Sequence, residues 1–212
     1  MVYIDDHPER HDLQAMLATV SSQRQAYALR YRRETDRRLS LVAYKLLQHA
    51  LEVEYGISEP PLFEYGAHGK PTIVGHPDIH FNLSHCLEAV ACVVDRRPVG
   101  IDVESLDQYD AELVGATMSE SEQRQIANSP NPAQAFMRLW TMKESLLKLT
   151  GEGISDDLRH LLECPGHHPP AYEFDTRVYP RFVCTVCAER GAFISQQPIM
   201  PSEANSDYWL HV

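Results

Sequence analysis

Two long stretches of three-and-four apolar spacing, each followed by short apolar runs of strand length, constrain this chain's fold more than any other feature. In the first, Leu39, Val42, Leu46 and Ala50 share one helical face. The spacing predicts one helical stretch from about Gln23 to Tyr55, stopped by Gly56. An earlier stripe, Leu13, Met16, Leu17 and Val20, predicts a helix over Pro8 to Val20, after a short strand at residues 2–4. Residues 57–80 are rich in Pro and Gly and read as turns with short strands. Strands follow at Ile79–Ser84, Ala89–Asp95 and Val99–Glu104, the last two joined by Arg96-Arg97-Pro98. The order then repeats. Ser119-Glu-Ser-Glu122 fits a capping box. Asn131-Pro132 reads as an N-cap with proline in the first turn of a helix reaching Thr150 and stopped by Gly151. A short helix at 155–163 and strands at Tyr172–Tyr179, Phe182–Ala188 and Ala192–Gln196 complete the second set. Helices followed by strands, twice, imply an α+β chain of two similar halves, although no residue-level repeat is visible.

The chain has 212 residues with 19 Lys+Arg against 30 Asp+Glu, a net charge of −11. That balance argues against a general nucleic-acid binder. No apolar run approaches the roughly 18 residues of a membrane span. The start, Met-Val-Tyr-Ile-Asp-Asp, lacks the pattern of a secretory signal. The five cysteines, Cys86, Cys92, Cys164, Cys184 and Cys187, are an odd number and point to a reducing compartment, the cytoplasm. Cys184-Thr-Val-Cys187 lies in a strand-like run, where a spacing of three puts the two side chains on opposite faces. That geometry favours packing over a redox pair or a metal site. His167-His168 sits among prolines and reads as loop.

Four clusters carry candidate chemistry. In Val99-Gly100-Ile101-Asp102-Val103-Glu104, Asp102 and Glu104 project from one face of a strand. Two acids so close repel unless a cation or proton lies between them. Hard oxygen ligands at this spacing suit Mg²⁺, and a solvated acidic face gives the same pattern, so both readings stand. In Trp140-Thr-Met-Lys143-Glu144-Ser-Leu-Leu-Lys148, Trp140, Glu144 and Lys148 fall four apart on one helical face. By itself this is a surface ion pair with a tryptophan on the same stripe. Gly69-Lys70-Pro71 is by itself a turn with an exposed lysine, and Phe81-Asn82-Leu83-Ser84-His85 the end of a strand.

In order and spacing the four clusters resemble the 4′-phosphopantetheinyl transferases of the longer, surfactin-synthetase-activating type. Those enzymes carry a Gly-Lys-Pro turn, an Asn-Ile-Ser-His-like strand end, a Gly-Ile-Asp-Ile-Glu strand and a Trp-x-x-Lys-Glu-Ser/Ala-x-x-Lys helix. The resemblance covers roughly residues 20–190, with Leu83 and Val103 in place of isoleucines. It implies a single-chain pseudo-dimer, usually monomeric, with pseudo-symmetric α+β halves at 1–105 and 106–212. Each half has helices packed on a small antiparallel sheet, and the site lies between them. It implies Mg²⁺-dependent transfer of 4′-phosphopantetheine from coenzyme A to a serine of an apo acyl, peptidyl or aryl carrier protein. The second product is adenosine 3′,5′-bisphosphate.

The resemblance also implies residue roles. Asp102, Glu104 and Glu144 match the acids that hold Mg²⁺, with Mn²⁺ as a substitute, and Glu144 matches the general base. Lys148 matches the phosphate-binding lysine at the end of the signature helix, and with Asp102 and Glu144 makes up the catalytic set. Lys70, Pro71, Asn82, Ser84 and His85 match the coenzyme-binding positions, joined by Asp102, Lys143 and Lys148. Arg33 and Arg38 lie where basic residues approach the 3′-phosphate. Cys86, where serine or glutamine often stands, is placed to tune adenine contacts. A non-catalytic module that binds coenzyme A or a carrier is the alternative, and the full set of acids argues against it. Membranes and nucleic acids are not expected partners. The acidic total does not exclude anionic ligands: residues 21–48 hold six Arg and one Lys against Glu34 and Asp36. Charge acts locally within a Debye length of about 8 Å.

Overall fold

The computed structural model describes residues 1–66, 69–107, 109–151, 158–163 and 171–191. The chain runs β1 (Val2–Asp5), a 3₁₀ turn (Pro8–Arg10), α1 (Leu13–Ala18), α2 (Ser22–Ala28) and α3 (Glu34–Tyr55). Then come β2 (Phe63–Tyr65), β3 (Pro71–Ile73), β4 (His80–His85), β5 (Val90–Asp95) and β6 (Val99–Ser105). α4 (Ala111–Thr117), α5 (Glu120–Ala127), α6 (Pro132–Thr150), a 3₁₀ turn (Leu158–His160), β7 (Tyr172–Val178) and β8 (Phe182–Glu189) follow. This is an α+β fold. No helix among the described residues is long and apolar enough to cross a membrane.

Two antiparallel three-stranded sheets form the centre, in the orders β1-β5-β4 and β6-β8-β7, beside a β2-β3 hairpin. The connectivity repeats: strand, helix, strand, strand, with the last strand central in each sheet. Period-two alternation decides which side chain serves which layer. Tyr3, Phe81, Val90, Cys92 and Val94 pack under Leu39, Val42, Leu46 and Ala50 of α3. From the opposite face, Val2, Ile4, Ala91 and Val93 meet Val99, Ile101, Val103, Cys184 and Val186 of the second sheet. The far face of that sheet carries α6, through Val183 with Phe136 and Met137 and through Cys187 with Leu146, Leu147 and Leu149. The layers are therefore helix, sheet, sheet, helix.

The two sheets also touch along a seam between β4 and β6. There, side chains stand in for a backbone ladder: Asn82 Oδ1 accepts from Ile101 N–H (3.1 Å) and Ser84 Oγ from Val103 N–H (3.2 Å). A division of the chain at 105 leaves β6 with the first half. Its backbone ladder runs to β8 in the second sheet, and its other edge meets β4 through these side chains.

The capping box at Ser119 and Glu122, the Asn131 cap and the left-handed stops at Gly56 and Gly151 all form. Two expected helices are interrupted. Asp12 caps α1 by accepting from Ala15 N–H, which separates that helix from the 3₁₀ turn before it. The stretch from Gln23 to Tyr55 breaks at 29–33. Arg24 of α2 folds back between the rings of Tyr27 and Tyr44 and donates to Ser40 of α3, a contact periodicity does not encode. α4 was not foreseen, and Asp110 caps it. The strand Ala192–Gln196, residues 155–157 of the short helix, Cys164 and His167-His168 lie outside the described residues.

Candidate active site

β6 is an alternating strand. Ile101 and Val103 turn into the inter-sheet core, so Gly100, Asp102 and Glu104 face α6. Gly100 lets the helix come close: a Cβ there would run into the Ser145 carbonyl oxygen and lie 2.7 Å from Leu149 N. At this distance the stripe of Trp140, Glu144 and Lys148 meets the acids of β6. Lys148 Nζ donates to Asp102 Oδ1 at 2.6 Å and to Ser84 Oγ at 2.9 Å. Ser84 Oγ donates to the same Oδ1 at 2.9 Å. Trp140 Nε1 donates to Glu104 Oε1 at 3.3 Å while its ring stacks on Phe136.

The electrostatics follow from crowding. Asp102 is only 2% exposed, and its Oδ2 is buried without a hydrogen-bond partner. The Glu104 carboxyl is pushed up to about 7, by burial first and by Asp102 next; the Trp140 indole and Lys148 oppose the rise and Glu144 adds to it. Glu144 is raised by burial and by Asp102, against Lys148. His85 ends β4 with a face to solvent, yet the protein around it, and then the Lys148 charge, draw its pKa below the ordinary histidine value. Among the described residues no group of three His, Cys, Asp or Glu side chains is drawn together closely enough to hold a metal ion as it stands. The donor set nonetheless fits a hard divalent cation. It consists of carboxylate oxygens, one of them an orphaned buried acceptor, in a site whose acids repel one another.

The structure thus brings Asp102, Glu104, Glu144, Lys148, Ser84 and His85 to one place, with Asn82 in the seam beside them. Lys70 arrives from another direction. Its Nζ donates to the Leu149 carbonyl at the C-terminal end of α6 (2.7 Å), and burial lowers its pKa. Pro71 opens β3 opposite Tyr65. Arg33 is exposed at the N-cap of α3, and Arg38 pairs with Glu34 one turn back (2.9 Å). Neither arginine is bonded to Asp102, Ser84 or Lys148; from that helix it is the charge of Asp36 that reaches His85.

Two expectations are corrected. Lys143 does not face the site. It is 1% exposed, and its ammonium donates to Glu122 Oε2 (2.7 Å) and to the carbonyls of Thr117 (2.9 Å) and Leu158 (2.8 Å). One residue along a helix is a rotation of about 100°, which turns Lys143 away from the stripe of Glu144. Cys86 is buried in the inter-sheet core rather than turned to a ligand. Cys184 and Cys187 lie in different apolar clusters on opposite faces of β8, and burial pushes both thiols up. Trp140 is a site residue to which sequence reasoning gave no role. The signal was its place four residues before Glu144, on a stripe otherwise charged.

A family profile described as the 4′-phosphopantetheinyl transferase superfamily matches residues 98–194, which include β6 and α6. The 4′-phosphopantetheinyl transferase psf-1 of Bacillus pumilus is 31% identical, over 94% of this chain and 92% of its own length. The 4′-phosphopantetheinyl transferase Sfp of Bacillus subtilis (strain 168) is 27% identical, over 91% and 92%. The 4′-phosphopantetheinyl transferase gsp of Aneurinibacillus migulanus is 32% identical, over 72% and 65%. The profile covers the strand and helix that bring Asp102, Glu104, Glu144 and Lys148 together, and the Bacillus pumilus and Bacillus subtilis relatives align along more than nine-tenths of the chain; the chain belongs to the 4′-phosphopantetheinyl transferase superfamily.

Proposed function

We propose that this protein transfers 4′-phosphopantetheine from coenzyme A to a serine of an apo acyl, peptidyl or aryl carrier protein, as a cytoplasmic monomer. The observation that carries this reading is the convergence of three acids and one lysine where β6 meets α6. The reaction breaks the pyrophosphate of the coenzyme and forms a phosphodiester to the serine oxygen. The other phosphate leaves as adenosine 3′,5′-bisphosphate, and the serine proton is lost.

Asp102, Glu104 and Glu144 are the residues that would hold Mg²⁺, whose charge would offset the charge that builds on the breaking pyrophosphate. Lys148 and His85 stand at the open side of the acids and meet the coenzyme phosphates. Lys70 approaches the same region from the β3 side, and Arg33 and Arg38 supply positive charge on the flank. Glu144 is the residue placed to take the serine proton. A carboxylate is a weak base for an alcohol and holding the metal would weaken it further, so this role depends on Glu144 being within hydrogen-bond reach of the serine as the bond forms. We place the site between the halves, at the seam that Asn82 and Ser84 close.

The test is a panel of apo carrier proteins incubated with coenzyme A, Mg²⁺ and the purified protein. The expected result is a mass gain of one phosphopantetheine on the carrier serine, lost in Asp102→Ala and Glu144→Ala. Absence of modification across fatty-acid, polyketide and peptide carriers overturns the reading.

A further inference from the structure

We propose that Lys148 is a place-holding cation: its ammonium neutralises Asp102 in the metal-free protein and leaves when a divalent cation binds, so the two compete for one carboxylate. This rests on the reading that Asp102, Glu104 and Glu144 hold the metal.

The geometry carries the inference. Asp102 has a side chain only 3% exposed, so its charge cannot be met by water, and a buried carboxylate without a counter-charge is strongly destabilising. Lys148 meets it at 2.6 Å on Oδ1, while Oδ2 is left without a partner. Yet a cation on Asp102 and an ammonium against the same carboxylate repel at short range. Lys148 is the member that can move. Its side chain is 29% exposed, on a long flexible stem, whereas Asp102 is fixed in a strand. Ser84 Oγ loses nothing essential when Lys148 leaves, because it still donates to Asp102 and accepts from Val103 N–H.

The exchange has a consequence for binding order. Lys148 already lies near enough for its charge to act on His85, which is exposed, so an ammonium released from Asp102 is free to meet an anionic phosphate there. Loading the metal therefore frees the cation that a phosphate ligand needs. By linkage, anything that draws Lys148 away tightens the metal by the same factor.

The test uses the metal alone. Free Mn²⁺ is measured by electron paramagnetic resonance, and Mg²⁺ binding by calorimetry, for the wild type, Lys148→Met and Lys148→Gln, without coenzyme. Both variants are expected to bind metal tighter by roughly fivefold or more, the low end of site-to-site coupling. Metal-free Lys148→Met is expected to melt lower than wild type and to gain more from saturating Mg²⁺. In the wild type, Mg²⁺ is expected to shift the Lys148 ammonium signal in ¹⁵N nuclear magnetic resonance, a readout that does not depend on the variants folding. Equal or weaker metal binding in folded variants, binding to either variant only when coenzyme is present, or an ammonium signal untouched by bound Mg²⁺ overturns the exchange and leaves the proposed function standing. Metal binding by none of the three proteins, even with coenzyme A, overturns the metal reading itself.

Discussion

Glu104 and Trp140 show how single side chains tune the cluster. The folded protein holds a proton on Glu104 up to about pH 7, whereas the unfolded chain releases it near 4.5. The folded state therefore binds more protons between those values, and its stability falls as pH rises through them. The loss is on the order of 3 kcal/mol at most, by the conversion of about 1.4 kcal/mol per unit. Thermal melts of metal-free protein from pH 4.5 to 7.5 are expected to show this decline. Glu104→Gln, which has nothing to ionise there, is expected to flatten most of it and leave the part that the raised Glu144 carboxyl contributes; a slope unchanged by the substitution contradicts the assignment. Trp140→Phe keeps the ring stacked on Phe136 and removes only the indole N–H. Without that donor the Glu104 carboxylate is less favoured, so in the metal-free protein its pKa rises and the decline of stability seen in thermal melts extends to higher pH. A hydrogen bond to a charged group contributes about 1.5–3 kcal/mol at good geometry. At 3.3 Å the lower figure applies, so the upper end of that decline is expected to move up by about one pH unit.

At the scale of elements, the site depends on how closely α6 lies on β6. Two features hold the helix down: the absence of a side chain at Gly100, and a hydroxyl tie from Thr141 of α6 to Thr185 of β8 (2.7 Å), the residue opposite Asp102. Gly100 is in extended conformation, so the constraint is space and not backbone freedom. Gly100→Ala is expected to push the helix off the strand, at the roughly 1–3 kcal/mol typical of overpacking or somewhat more, since the obstacle is backbone. That lowers the melting temperature by about 2–4 °C per kcal/mol in a chain of this size. Carrier transfer is expected to fall much further than stability, because Glu144 and Lys148 move away from Asp102. A variant with normal transfer would show that the close approach does not set the site.

At the scale of the molecule, the remote support of α6 is as telling as the site. Lys143 binds the capping glutamate of α5, the last turn of α4 and the turn at 158–160, so one buried ammonium joins four segments. Lys143→Met leaves Glu122 buried without its partner and is expected to cost about 3–5 kcal/mol, read as a large drop in melting temperature. Well below that temperature, coenzyme binding by calorimetry is expected to stay near wild type; strong loss would return Lys143 to the site. How much of this was legible differs by level. Strands β4, β5, β6, β7 and β8, the long helices α3 and α6, and their stops at Gly56 and Gly151 could be read from period, caps and breakers, because those signals are local. The break between α2 and α3 could not, because Arg24 is turned by Tyr44 and Ser40, up to twenty residues ahead. Asp102, Glu104, Glu144 and Lys148 were legible as residue types at fixed spacing on a strand and a helix. Their meeting was not, since it depends on α6 packing across β6 and on Asn82 and Ser84 holding two sheets edge to edge. The partners of Lys143, the pairing of β6 with β8 and the burial of Cys86 likewise arise only when layers stack. The sequence by itself determined the elements, the faces they present and the chemistry they can carry, because periodicity and spacing act within a few residues. Only the tertiary structure decided which faces meet, and so which acid holds which cation, because contact between distant segments is a property of packing and not of neighbourhood along the chain.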